Sequence, residues 1–269
     1  SIDGLLFIRH KVRMNDDPRA IEERFEQEEI SGPVVSEPQL AAVPASPAIP
    51  DYLEETYWWA YLHPKALKFF EREWMVNLIL WGNMNRLTSA VIDDMQLPPK
   101  SRVLQVACVY GDFSNKLANH LAQNDSRLDI VDVAQIQIDN VREKLAAHDN
   151  VGVHHQDSTA MRFPADSFDE TVVFFLLHEQ PEDARRRTIE EAIRVTKPGG
   201  KVIFVDYHGP KKSNPMRYVM KPILTWLEPF AMDLWREELP AFMPDSVDPK
   251  RIDSKFYFGG LYQKIVLTL

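Results

Sequence analysis

Cysteine is all but missing from this chain. Cys108 is the single one among 269 residues, which excludes an internal disulfide framework and any cysteine-cluster metal site. Long apolar runs are missing as well, since no stretch approaches the ~18 residues of a spanning helix. Positive charge is in deficit, with Lys+Arg 31 against Asp+Glu 40 and a net charge of -9. That balance is wrong for sequence-independent nucleic-acid binding, which rests on neutralising phosphates. The opening Ser1–Ile8 has only four apolar residues in a row and no cleavage-site pattern, so it does not read as a secretory signal. What is present, 45% hydrophobic and 26% charged residues, is the make-up of a globular domain with additions.

Met14 heads an Asn-Asp-Asp-Pro run with the look of a natural start, so residues 1–13 are set outside the fold. Residues 14–50 read as an acidic helix followed by a linker. Seven acidic residues in 16–30 accompany Ile21, Phe25 and Ile30 at helical spacing, and five prolines fall between Ser31 and Pro50. Residues 51–100 predict aromatic helices with a break at Gly82-Asn83. Tyr57, Trp58, Trp59, Tyr61, Phe69, Phe70, Trp74 and Trp81 crowd this segment, either packed onto the next domain or forming a lid over an apolar ligand.

From Ser101 strands and helices alternate. Val103–Cys108, Leu128–Val133, Val151–Gln156, Phe168–Leu177 and Lys201–Tyr207 predict strands, the last after a Lys197–Gly200 turn. Phe113–Asn124, Ile136–His148 and Pro181–Thr196 predict helices, and Lys255–Leu269 predicts antiparallel edge strands. The expected class is α/β, a doubly wound sheet. Ligands in such sheets bind beyond the carboxyl ends of the strands. The first strand-to-helix turn, Val106-Ala107-Cys108-Val109-Tyr110-Gly111-Asp112, stands where a glycine-rich loop would and keeps one glycine. Asp132 ends the second strand, placed for ribose hydroxyls, and Asp157-Ser158 follow the third, placed beside an adenine. Each aspartate alone could equally be a cap or turn residue.

This succession, with Phe168-Asp169 and Arg194–Gly200, resembles the class I S-adenosylmethionine (SAM) methyltransferases, and residues 65–95 and 101–208 resemble the quinone-ring methyltransferases. Residues 106–112, Phe174–Pro181 and Val205–His208 are similar to the rhodoquinone biosynthesis proteins of the RquA type. The resemblance implies a Rossmann-like methyltransferase fold in 101–269, with a helical lid before it and an insertion at 210–243. It implies SAM as amino donor, Mn²⁺ as metal, and conversion of ubiquinone to rhodoquinone by a peripheral protein at the cytoplasmic face of a membrane. Cofactor contacts would fall on Gln105, Ala107, Tyr110, Gly111, Asp112, Asp132, Val133, Asp157 and Ser158, and catalytic roles on Tyr207 and His208. The chain departs from the methyltransferase pattern in having Gln105 for an acidic residue and Ala107 and Val109 for glycines. A β-branched residue is ill suited to positive φ, so Val109 predicts a reshaped loop.

His178-Glu179 lie past the fourth strand, and Asp206 and His208 sit two apart at the end of the fifth. They predict a mixed O/N group suited to Mn²⁺. The alternative has His178 bonded within a loop and Asp206 as a cap. His154-His155 read as structural. Lys211, Lys212, Arg217 and Lys221 beside Leu227, Phe230, Trp226 and Trp235 suggest an element that dips into a bilayer to admit a quinone tail, with core packing as the alternative.

Overall fold

A computed structural model describes residues 47–57, 67 and 69–269. The acidic helix and most of the linker expected before residue 47, and the aromatics Trp58, Trp59 and Tyr61, lie outside these. Pro47–Leu269 is one compact unit.

Seven strands form one sheet: β1 (Arg102–Val106), β2 (Arg127–Asp132), β3 (Val151–His155), β4 (Phe168–Phe174), β5 (Thr196–Tyr207), β6 (Ile252–Tyr257) and β7 (Tyr262–Thr268), in the order β3-β2-β1-β4-β5-β7-β6. The first five pair in parallel, and β7 and β6 close one edge antiparallel. The order reverses between β1 and β4. Among the described residues, helices α1 (Glu73–Ile79), α2 (Met84–Ile92), α3 (Phe113–Ala122), α4 (Gln135–Lys144), α5 (Glu182–Val195), α6 (Met216–Leu227) and α7 (Asp233–Arg236) accompany the sheet, together with short 3-10 helices and a π-helical turn at Leu53–Tyr57.

The apolar strand runs bury on both faces, as covered parallel strands must. Val103, Ile130, Val172 and Ile203 belong to one core layer with α2 and α3, while Leu104, Val131, Val173 and Phe204 belong to another with α5. Phe113 stacks on Phe174 with centroids 4.1 Å apart, fixing the start of α3 over β4. Lys264 is buried on β7, where it donates to the Ala90 carbonyl at 2.7 Å and pairs with Asp94, tying α2 to the sheet edge.

Two boundaries differ from the sequence expectation. Strand β4 stops at Phe174, because Phe175 takes φ +54° and the chain turns into a 3-10 helix, Leu177–Glu179. Lys197–Gly200 is a bulge inside β5, with Gly199 at φ +80°, so pairing jumps from Phe168↔Thr196 to Glu170↔Lys201. The break between α1 and α2 falls where expected, with Trp81 and Gly82 both at positive φ.

Candidate active site

The crevice beside the β1/β4 switch gathers the expected ligand residues at the strand ends. After Val106 the backbone enters the left-handed region at Ala107 (φ +70°) and again at Gly111 (φ +78°). Positive φ therefore falls on Ala107, and Val109 is spared, which is how the loop is reshaped. A non-glycine residue there costs on the order of 1–2 kcal/mol, so neighbours must hold the loop. Cys108 N–H donates to Asp132 Oδ2 at 2.7 Å. Lys144 Nζ donates to the carbonyls of Val109 and Gly111 and pairs with Glu71. Gln137 donates to the Tyr110 hydroxyl at 2.8 Å, and Phe70 lies 5.9 Å from the Tyr110 ring.

Gln105 is buried on β1. Its amide N–H donates to the Ala107 carbonyl at 2.9 Å, while its Oε1 has no hydrogen-bond partner. Asp132 Oδ1 accepts from Ala134 N–H at 2.8 Å, and burial pushes its carboxyl up. Each oxygen keeps lone pairs for a further donor. Val133 accepts from His155 Nε2 at 2.8 Å, and Asp157 Oδ1 accepts from Thr159 N–H at 2.7 Å. Ser158 Oγ lies 3.0 Å from Thr188 Oγ1 and accepts from Gln180, whose own Oε1 lacks a hydrogen-bond partner. Tyr52 faces Gln180; burial first, then Asp157, Glu179 and Asp132, push its hydroxyl up to about 12. Tyr52 thereby brings the segment before α1 to the ends of β2, β3 and β4. Asp112 accepts from Asn115 at 2.9 Å and lies 3.5 Å from Lys116, at the start of α3.

Beyond β4 and β5 the character changes to buried charge. His178 Nδ1 is 2.9 Å from Asp206 Oδ1, and its Nε2 is 3.7 Å from Glu179 Oε1. Burial opposes the charged imidazole, but Asp206, then Glu179 and Glu228, raise it to about 9. Asp206 also accepts the backbone N–H groups of His178 and Tyr207. Tyr207 is edge-on to His178 at 4.9 Å and packs against Phe175 and Tyr262; burial raises its hydroxyl well above the ordinary range.

His208 departs from the expected group. Strand β5 ends at Tyr207, and His208 turns to Gly260, with Nδ1 2.7 Å from its carbonyl and the ring 4.6 Å from Phe256. Asp206 already accepts the backbone N–H groups of His178 and Tyr207 and faces the His178 ring. Among the described residues no group of three or more His, Cys, Asp or Glu side chains could hold a metal ion. The four residues do not assemble into the expected Mn²⁺ donor set. His154 is structural in its contacts, 2.6 Å from Asp129.

Sequence reasoning missed Arg185, Glu228 and Tyr52. Arg185 is wholly buried and donates to the carbonyls of Leu177, Gln180 and Phe230, each at 2.9 Å, with Asp233 at 3.5 Å. It fastens the His178 turn to the insertion. Its signal was there: with Thr188, Ile189 and Ala192 it keeps the i, i+3, i+4, i+7 spacing of an inward face. In the insertion, Met220, Leu224 and Leu227 are the buried stripe of α6, and Phe230 lies edge-on to Tyr52 at 6.5 Å. Leu227 and Phe230 are thus turned inward, contrary to the bilayer-dipping expectation. Lys211, Ser213, Asn214, Phe258 and Gly259 line a cavity of about 340 Å³ at the root of this insertion.

Residues 103–200 match the family model described as a methyltransferase domain. The chain is 30% identical over 109 residues to a demethylmenaquinone methyltransferase of Clavibacter sepedonicus, covering 40% of this chain and 42% of that one. It is 26% identical over 151 residues to that of Renibacterium salmoninarum, covering 55% and 60%. The chain thus spans about half the length of the curated relatives it matches. A solved structure described as a possible exported protein from Bordetella parapertussis shares the fold at TM-score 0.51 and 13% identity, covering 68% of this chain and 67% of that one. A SAM-dependent methyltransferase from Aquifex aeolicus aligns at TM-score 0.47 and 17% identity, covering 76% and 97%. The sheet order, with its reversal between β1 and β4, and the match over 103–200 establish a class I, Rossmann-like methyltransferase fold, and the chain is related in sequence to demethylmenaquinone methyltransferases.

Proposed function

We propose that this protein binds SAM in the β1/β4 crevice and aminates a polyprenyl quinone, replacing a ring methoxy of ubiquinone with an amino group. The observation that carries the reading is Gln105, a buried neutral amide with an unpartnered oxygen in place of a carboxylate. A carboxylate would hold the ligand's ammonium charged, whereas an amide oxygen accepts its hydrogen bond without that bias. An amine must be uncharged to attack carbon. When bound, SAM supplies that amine.

The chain's own groups divide the remaining work. Asp132 takes the ribose hydroxyls, and Gln180, Ser158 and Tyr52 wall the adenine. His178, held by Asp206, is a cationic donor suited to negative charge that develops on the quinone oxygen during addition. Tyr207, Phe175 and Tyr262 exclude water around it. Addition of nitrogen at the methoxy-bearing carbon, with loss of methanol, leaves that nitrogen bonded to the donor's α-carbon. Cleavage of this C–N bond, with a proton passing from the donor's β-carbon to nitrogen, then frees the aminoquinone and leaves the donor as an α,β-unsaturated acid.

Methyl transfer to a quinone is the second reading, favoured by the relation to demethylmenaquinone methyltransferases. Incubation with ubiquinone and SAM, followed by weighing the quinone, separates the two. Loss of methoxy with gain of nitrogen supports amination, and an added methyl group supports the second reading. The assay is run with and without Mn²⁺, because the family resemblance carries a metal requirement for which the arrangement of His178, Glu179 and Asp206 gives no account.

A further inference from the structure

Helices α1 and α6 expose apolar residues in register with their turns. On α1, Trp74 and Leu78 are 56% and 54% exposed, and Trp81 just beyond it is 42% exposed, at i, i+4 and i+7. On α6, Tyr218 is 71% exposed and Val219 36%, with Pro222 exposed one turn further on, opposite the buried stripe of Met220, Leu224 and Leu227. The two helices touch where Trp81 Nε1 donates to Met220 Sδ at 3.2 Å, on the buried stripe of α6. A surface of large aromatic and aliphatic side chains on two joined helices is what a soluble face avoids.

Charge indicates what covers it. The chain carries -9 overall, yet Lys211–Leu227 holds four basic residues and no acidic one. Lys211, Lys212 and Lys221 are exposed, while Arg217 donates to the Pro210 carbonyl. Glu73, beside Trp74, lies 3.9 Å from Lys116, which it shares with Asp112. Among the described residues no helix is long and apolar enough to cross a membrane.

We infer that the joined α1–α6 face, with the lysines of 211–221, is a docking surface for an anionic lipid bilayer. Trp74, Leu78, Trp81 and Tyr218 enter the headgroup region, and the lysines meet lipid phosphates, as in interfacial helices. This inference rests on the surface alone. Its test uses neither quinone nor SAM, so its failure leaves the proposed chemistry standing, and the converse.

The experiment is co-sedimentation of the full chain with vesicles of phosphatidylcholine, with and without phosphatidylglycerol. Binding is expected only with phosphatidylglycerol and falls as salt rises. The double variant Leu78→Glu, Tyr218→Glu, and separately Lys211→Glu with Lys212→Glu, are each expected to weaken binding by about tenfold or more. Circular dichroism checks that each variant is folded. Should the first misfold, quenching of native tryptophan fluorescence by brominated lipid decides in its place. Absence of binding to phosphatidylglycerol vesicles overturns the inference, as does undiminished binding by folded variants or lack of quenching. A stable oligomer that Leu78→Glu dissociates also overturns it, since the face would then belong to a protein contact.

Discussion

The two sides of the crevice are built by opposite means. At the ends of β1, β2 and β3 the donors are mostly backbone N–H groups and amides, and the buried Gln105 Oε1 lacks a hydrogen-bond partner, as does Oε1 of Gln180, which reaches over to Ser158 from the turn after β4. At the ends of β4 and β5, charge is balanced internally: His178 lies between Asp206 and Glu179, and Arg185 closes over the same turn. The first side is suited to holding a nucleoside, because unpaired acceptors reward a ligand that donates to them. The second is suited to chemistry, because a cation held in place before substrate arrives needs no reorganisation when charge develops. Binding and turnover are therefore separable by mutation.

The largest effect is expected from Arg185→Met. It leaves three carbonyls without their donor, and urea denaturation should show a loss of about 3 kcal/mol or more. Full stability would mean that the turn and insertion are held by packing alone.

Next, Asp206→Asn removes the anion that holds His178. Turnover is expected to fall about 100-fold or more with SAM affinity kept within about twofold. Asp132→Ala should do the reverse, weakening SAM binding by about 1–3 kcal/mol, measured by calorimetry. Should both variants lose binding and turnover together, the crevice is one unit and the division fails.

How far this was legible in the sequence follows from the same contrast. On the β1–β3 side the positions of Asp132 and Asp157 were legible, because one ends a strand and the other follows one by two residues, and a strand end fixes a residue's place without knowledge of its neighbours. On the β4–β5 side, His178, Glu179 and Asp206 were found as a cluster. His208 did not join them, because a period-two argument holds only while the strand lasts and β5 ends one residue earlier. Arg185 hid in an Arg-Arg-Arg run whose other members pair with Glu182 and Asp183 on the solvent face. Glu228 and Tyr52 reach the site through tertiary packing, which leaves no local spacing to read.

A smaller effect tests the sheet beneath both sides. Burial pushes Glu170 on β4 up to about 7, with Lys201 opposing the shift. The folded state then binds more protons than the unfolded one between about pH 4.5 and 7. Stability is full below that window and falls as pH rises through it. Glu170→Gln should abolish this slope and be more stable than the native chain at pH 8, by on the order of 1–3 kcal/mol. A parallel pH profile in both proteins would contradict the assignment.

The most direct measurement follows the nitrogen. SAM labelled with ¹⁵N at its α-amino group is supplied with ubiquinone, and the quinone product is weighed. The account predicts ¹⁵N in the ring, with one methoxy lost and no methyl gained. A product carrying an added methyl group and no label would contradict it.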